Sequence, residues 1–193
     1  MKLVKIWLLI VSLSFLGGLF YFTESFSSST AANGAEPESP IGGPFHLIDQ
    51  NGKKVSDKDF KGRLMLVYFG FTNCPGVCPV DMAMITDSLK KLGKAADKVA
   101  PIFITVDPVH DNPAALKKYL KNYYPTFTGL TGSEKQIKEV EKEYKVYAEE
   151  SATPGIFNHS SNIYLMDAEG KYLTHFAPGV DAEQVAAGIK KYL

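Results

Sequence analysis

Two stretches of the chain, Leu64 to Phe69 (LMLVYF) and Ala100 to Val106 (APIFITV), run without a charged residue and without the apolar-polar alternation of a half-exposed strand. Runs of this kind belong to strands buried on both faces of a parallel sheet, which needs helices above and below it. Helix signals follow each run. Met82, Ile85, Leu89 and Leu92 share one helical face within Pro79 to Leu92. Asn112 followed by Pro113 reads as an N-cap and an N1 proline opening a helix from Ala114 to Asn122. Ser133 with Gln136, and Asp181 with Gln184, read as capping boxes, the first opening a helix that runs through Tyr144 and the second opening the last helix. Gln50-Asn51-Gly52 joins Phe45–Asp49 to Lys53–Ser56 as a hairpin, and Asp167 to Gly170 joins Asn162–Met166 to Tyr172–Phe176 as another. The order is hairpin, strand, helix, strand, helix, short strand, helix, hairpin, helix. It predicts an α/β domain with a mixed sheet flanked by helices.

Ahead of that domain, Ile6 to Phe22 is uncharged and is preceded by Lys2 and Lys5. Its seventeen residues reach about 26 Å as a helix, near the lower limit for crossing a bilayer and longer than the usual signal-peptide core. The expectation is a membrane anchor at 1–22, with a cleaved signal ending around Ser29, Thr30 and Ala31 as the alternative. A linker is expected at 23–40, rich in Ser, Ala, Glu and Pro, and the working domain at 41–193. Lysines on the N-terminal side hold that end in the cytoplasm and send the domain to the extracytoplasmic, periplasmic side. No cysteine stands directly after the segment, within residues 23–40, and the expectation is that the chain is not a lipoprotein.

Charge and cysteine content narrow the function classes. The chain has 193 residues with 21 basic and 21 acidic side chains. The first forty residues take two of the former and three of the latter, leaving 19 and 18 beyond them. No basic patch is present to neutralise phosphates, so nucleic acid is not an expected partner. Cys74 and Cys78 are the only cysteines, too few to staple a small fold.

The segment Phe69-Gly70-Phe71-Thr72-Asn73-Cys74-Pro75-Gly76-Val77-Cys78-Pro79 places both sulfurs between the end of a central strand and the mouth of a helix. Open α/β sheets carry their sites there. Unpaired N–H groups and the helix dipole favour a thiolate, as nucleophile or as metal ligand. About one helical turn between the two residues keeps them within reach of a reversible disulfide. A structural disulfide is the plainer alternative, although a bridge closing so short a loop restricts the unfolded chain little. Two thiolates form a soft ligand pair suited to Cu(I) or Zn(II), with an imidazole as the natural third ligand. Four histidines are available. His46 falls in the first hairpin and His175 alternates with apolar neighbours in the last strand, both as surface residues. His110 lies in the turn after the second central strand, near the same sheet edge as the cysteines. His159 lies in a loop before Ile163–Met166, on the side facing the dithiol if the fold is thioredoxin-like. Spacing alone leaves His110 and His159 both open.

The element order, with a dithiol at the helix after the first central strand, resembles the thioredoxin fold. More specifically, GFTNCPGVCP, TVDPVHDNP and FNHSSNIYLMD, in that order, resemble the Sco/SenC family, and the similarity runs from about Pro40 to the C-terminus. These are membrane-anchored, thioredoxin-like copper proteins implicated in assembling the binuclear copper centre of cytochrome c oxidase. The resemblance implies that Cys74, Cys78 and His159 hold copper, as Cu(I) or Cu(II), while Asp107, Pro108 and Asp111 form a turn beside the site. It also implies the copper-binding subunit of the oxidase as partner and a thiol reductant to maintain the dithiol. Two positions depart from the family pattern: Gly76 stands where an acid is frequent, and Val109-His110 replaces an acid-arginine pair.

The leading expectation is a copper metallochaperone. The alternative is a thiol-disulfide oxidoreductase that reduces the cysteines of the oxidase copper site, Cys74 attacking and Cys78 resolving. A peroxidase is disfavoured because Thr72 precedes Cys74 by two positions without the proline such a motif wants. Zinc storage is disfavoured because no fourth firm ligand is visible.

Overall fold

The computed structural model describes residues 40–193. The anchor expected at 1–22 and all but the last residue of the linker expected at 23–40 lie outside the described residues. Among the described residues no helix is long and apolar enough to cross a membrane.

Both apolar runs form central strands. β3 (Leu64–Gly70) and β4 (Val99–Thr105) pair in parallel and are buried at every position. Around them the sheet has seven strands in the order β2-β1-β5-β4-β3-β8-β9, with β1 His46–Asp49, β2 Lys54–Ser56, β5 Thr128–Thr131, β8 Ile163–Met166 and β9 Tyr172–Phe176. β5 continues the parallel set beside β4, while β8 runs antiparallel to β3 and leads into β9. The sheet is therefore mixed, with both predicted hairpins present.

The crossovers are α1 (Val77–Leu92) between β3 and β4, and α2 (Pro113–Leu120) between β4 and β5. α3 (Glu134–Glu143) follows β5, and α4 (Ala182–Lys190) closes the chain by packing on α1. All three predicted caps form. Asn112 accepts from the Ala115 N–H at 3.0 Å, and the boxes at Ser133 and Asp181 close reciprocally through Gln136 and Gln184.

Beyond shifts of one or two residues at the ends of α2 and α3, two differences from the reading of the sequence bear on the site. α1 begins at Val77, two residues before Pro79. A proline in the first turn costs no hydrogen bond, because those N–H groups have no intrahelical partner, so the helix extends back to take in Cys78. The loop leading to His159 contains a strand, β7 (Phe157–His159), which pairs antiparallel with β6 (Ala148–Glu150) as a ribbon separate from the main sheet.

Candidate metal centre

Cys74 lies in the loop after β3 and is half-buried, whereas Cys78 is fully buried in the first turn of α1. The helix opens on Gly76, with no side chain capping it, and the Cys78 N–H donates to Cys74 Sγ at 3.4 Å. His159 ends β7, opposite Ala148. Its Nδ1 lies 2.9 Å from the Ser160 carbonyl oxygen. A carbonyl only accepts, so Nδ1 carries the proton and Nε2 keeps its lone pair. That atom lies 3.4 Å from Cys78 Sγ.

The two sulfurs and Nε2 all lie within 4.8 Å of one another, and both cysteines are free. A first-row metal bonded at about 2.3 Å to sulfur and about 2.0 Å to imidazole would set S and N about 3.7 Å apart in a trigonal site. The three donors thus fit one soft ion with small side-chain shifts. Among the described residues this is the one group of three or more His, Cys, Asp or Glu side chains close enough to hold a metal.

The electrostatics of the two groups differ: the imidazole is ready to bind, whereas at Cys78 burial outweighs the helix mouth expected to favour a thiolate. Burial lowers the basicity of His159, keeping its ring neutral at physiological pH, as a ligand must be. Burial pushes the Cys78 thiol up to about 12, so it holds its proton until a cation displaces it. Aromatic rings wall the imidazole: Tyr68 meets it edge-on at 6.4 Å between centroids and Phe71 at 5.8 Å. Tyr68 donates to Asp81 Oδ2 at 2.9 Å, and burial raises that carboxyl above the ordinary range. Gly70, at the end of β3, leaves room for the sulfur, since a Cβ there would stand 3.0 Å from Cys78 Sγ and 3.1 Å from Tyr68.

The family model SCO1/SenC matches residues 33–193. The chain belongs to the SCO1/SenC family. It is 47% identical over 141 residues to a SCO2-like protein of Rickettsia conorii, covering 70% of this chain and 69% of the relative. Its fold is similar to that of Bradyrhizobium japonicum ScoI with copper bound, with 45% identity and a TM-score of 0.74 over 79% of this chain and 99% of that one. It is also similar to yeast Sco1 with copper bound, with 35% identity and a TM-score of 0.71 over 80% and 91% of the two chains. The thioredoxin-like mixed α/β fold is that of these Sco structures.

Within this SCO1/SenC chain the remaining histidines stand apart from the centre. His46 and His175 are exposed on β1 and β9, and His175 Nδ1 contacts the Tyr172 hydroxyl at 2.6 Å. His110 is exposed, and its Nδ1 lies 2.8 Å from Oδ2 of the buried Asp107. That contact turns the ring into the β4–α2 loop, so it does not join the cysteines.

Asp111 has the larger effect on the site. Fully buried, it accepts from the Thr72 backbone N–H at 2.9 Å, from the Thr72 hydroxyl, and from the Thr105 hydroxyl at 2.6 Å, which ties the β4–α2 loop to the segment leading into Cys74. At Gly76 a Cβ would meet no atom within 4 Å, so the space beside the helix mouth is open there. The Tyr68–Asp81 pair is a feature that sequence reasoning misses. The available signal is the position of Asp81, one helical turn past Cys78 on a face that also carries Met82 and Ile85.

Proposed function

We propose that this chain is a copper metallochaperone that holds one copper ion through Cys74, Cys78 and His159 and delivers it to the copper-binding subunit of cytochrome c oxidase during assembly. The observation that carries the reading is the convergence of two free sulfurs and an imidazole lone pair at one point. Copper-bound relatives from Bradyrhizobium japonicum, Arabidopsis thaliana and yeast support copper as the cargo. BsSco, 32% identical over 81% of this chain, is described as a member of the Sco family of cytochrome c oxidase assembly proteins, which supports the oxidase as destination. Soft thiolates hold Cu(I) firmly, and three-fold coordination lets an incoming thiolate bond the ion before an old ligand leaves. The half-buried Cys74 is the ligand such a thiolate reaches first.

One asymmetry favours a second reading. An accessible sulfur receiving a backbone N–H, backed by a buried partner, is also the arrangement of an attacking and a resolving thiol. The Cys74 thiolate would attack a disulfide of the oxidase subunit, Cys78 would then displace the mixed disulfide, and two electrons would pass to the subunit while this chain becomes the disulfide. A thiol reductant would restore it.

His159→Ala separates the two, because a dithiol reductase has no need of the imidazole. Metal delivery predicts a folded variant whose disulfide still forms and reduces, which binds copper weakly and fails to restore oxidase assembly in cells lacking the protein. Full assembly at limiting copper would make reduction the main activity.

The anchor belongs to the same proposal: residues 6–22 hold the chain to the membrane with the metal centre on the extracytoplasmic side. Carbonate-washed membranes should retain the full-length chain, with its C-terminal domain open to protease only from outside. A mature soluble form starting near Ala31 or Ala32 would overturn it.

A further inference from the structure

Beside the metal centre, α3, the ribbon β6–β7 and the end of β4 enclose an open groove of about 580 Å3. Its apolar lining comes from Val106, Ile137, Ala148 and Phe157, and its rim is acidic, with Glu134, Glu149 and Glu150 all exposed. The cation that lines it, Lys138, is already engaged, its Nζ lying 2.8 Å from Glu141 Oε2 and 2.9 Å from the Ala148 carbonyl. Two of the rim acids accept from neutral groups, Glu149 from the Tyr147 hydroxyl at 3.0 Å and Glu150 from the Gly155 N–H at 2.7 Å. Neither bond brings a positive charge to these two acids, and the buried Asp107 adds a further carboxyl to the lining.

The groove is continuous with the site. Phe157 packs on Phe71 at 5.6 Å between ring centroids, Phe71 packs on His159, and β7 carries both Phe157 and His159. Exposed apolar side chains collect at the same end of the domain. Val80 and Val109 are 68% and 67% exposed and Tyr147 is 53% exposed, the first on the opening turn of α1, the second lining the groove, the third next to β6. Solvent-facing apolar residues gathered around one site mark an interaction surface.

We propose that this groove docks an extended segment of the protein that exchanges copper with this chain, a segment in which lysine or arginine side chains alternate with apolar ones. The inference rests on the copper-delivery reading and names the chemistry of its partner. The volume lies within the roughly 300 to 1,000 Å3 of pockets that take a drug-sized ligand, enough for a few peptide residues. Apolar side chains fill the floor between Ile137 and Phe157 while cationic ones meet the rim, and the acidic rim also raises the rate of encounter with a basic partner. A segment lying there brings its own protein's metal-binding thiols within reach of Cys74.

The test uses the full-length chain in detergent micelles, without copper. A short fluorescein-labelled peptide alternating lysine and valine, and its counterpart with glutamate in place of lysine, are titrated by fluorescence anisotropy at about 50 mM and about 500 mM salt. The lysine peptide is expected to bind at least about tenfold more tightly than the glutamate peptide, and to weaken at high salt. The double variant Glu134→Lys, Glu149→Lys should reverse that preference. The milder Glu134→Gln, Glu149→Gln should weaken lysine-peptide binding even if the first variant folds poorly. Val109→Asn, which adds no charge, should weaken both peptides by removing apolar contact. Equal binding of the two peptides, or binding untouched by the glutamine variant, would overturn the groove as a docking site. A parallel copper titration of wild type keeps the two claims apart. A chain that binds the lysine peptide through Glu134 and Glu149 but takes no copper would retain the groove and lose the delivery reading.

Discussion

His159 Nε2 stands 3.4 Å from Cys78 Sγ although the two residues are 81 positions apart. A helix that starts early enough to include Cys78 supplies one partner, and a short ribbon outside the main sheet supplies the other. The Ser160 carbonyl then orients the imidazole so that its lone pair faces the sulfur. Burial favours the neutral form of both groups, and both would be available as ligands once a proton leaves the thiol.

Copper affinity should therefore rise with pH. Burial holds the Cys78 thiol up at about 12, so across the neutral range binding must expel its proton. The lowered basicity of His159 removes competition from the imidazolium over that range. Competition against a chelator should show the dissociation constant falling by about tenfold per pH unit from the Cys78 proton alone. A constant independent of pH would mean that the metal does not displace the Cys78 proton.

Oxidation should have the opposite effect. The two sulfurs lie within 4.8 Å of each other and both are free, so a disulfide can form with modest movement and would remove both thiolates. Copper binding should be lost in the oxidised chain and return after reduction, with Cys74→Ser and Cys78→Ser each behaving like the oxidised form. Titration of the oxidised and reduced chains, with thiol counts by mass spectrometry, checks this. Equal affinity in both states would exclude the dithiol as the site.

Much of the architecture was legible because its signals are local. The apolar runs of β3 and β4 and the caps at Asn112, Ser133 and Asp181 depend on neighbours within a few positions. Cys74 and Cys78 were legible as a pair for the same reason, while His159 was favoured over His110 by the place of its loop in a thioredoxin-like fold and singled out by family resemblance. The ribbon β6–β7 was not legible. Each strand has three residues of mixed exposure, too short to show a period of two. Asp81 was hidden differently: a carboxylate on a helix normally faces water, and this one is buried because Tyr68, 13 positions earlier on β3, satisfies it.

Asp111 offers a test of how the cysteine loop is held. Asp111→Ala leaves the Thr72 N–H and the hydroxyls of Thr72 and Thr105 without their shared acceptor, and should cost about 2–4 kcal/mol in chemical denaturation. Because burial raises the folded-state pKa of this carboxyl, its proton-linked stability is full below the ordinary carboxylate range and is lost as pH rises through the raised value. The stability of wild type relative to Asp111→Asn should thus decline from about pH 4 upward. A difference that grows with pH would contradict the assignment.

The coordination shell itself is the most direct test. X-ray absorption on the reduced, copper-loaded chain should show two sulfur neighbours at about 2.3 Å and one imidazole nitrogen at about 2.0 Å, with the nitrogen signal absent in His159→Ala. A shell of sulfur alone, or a nitrogen signal that survives in His159→Ala, would contradict the three-ligand site.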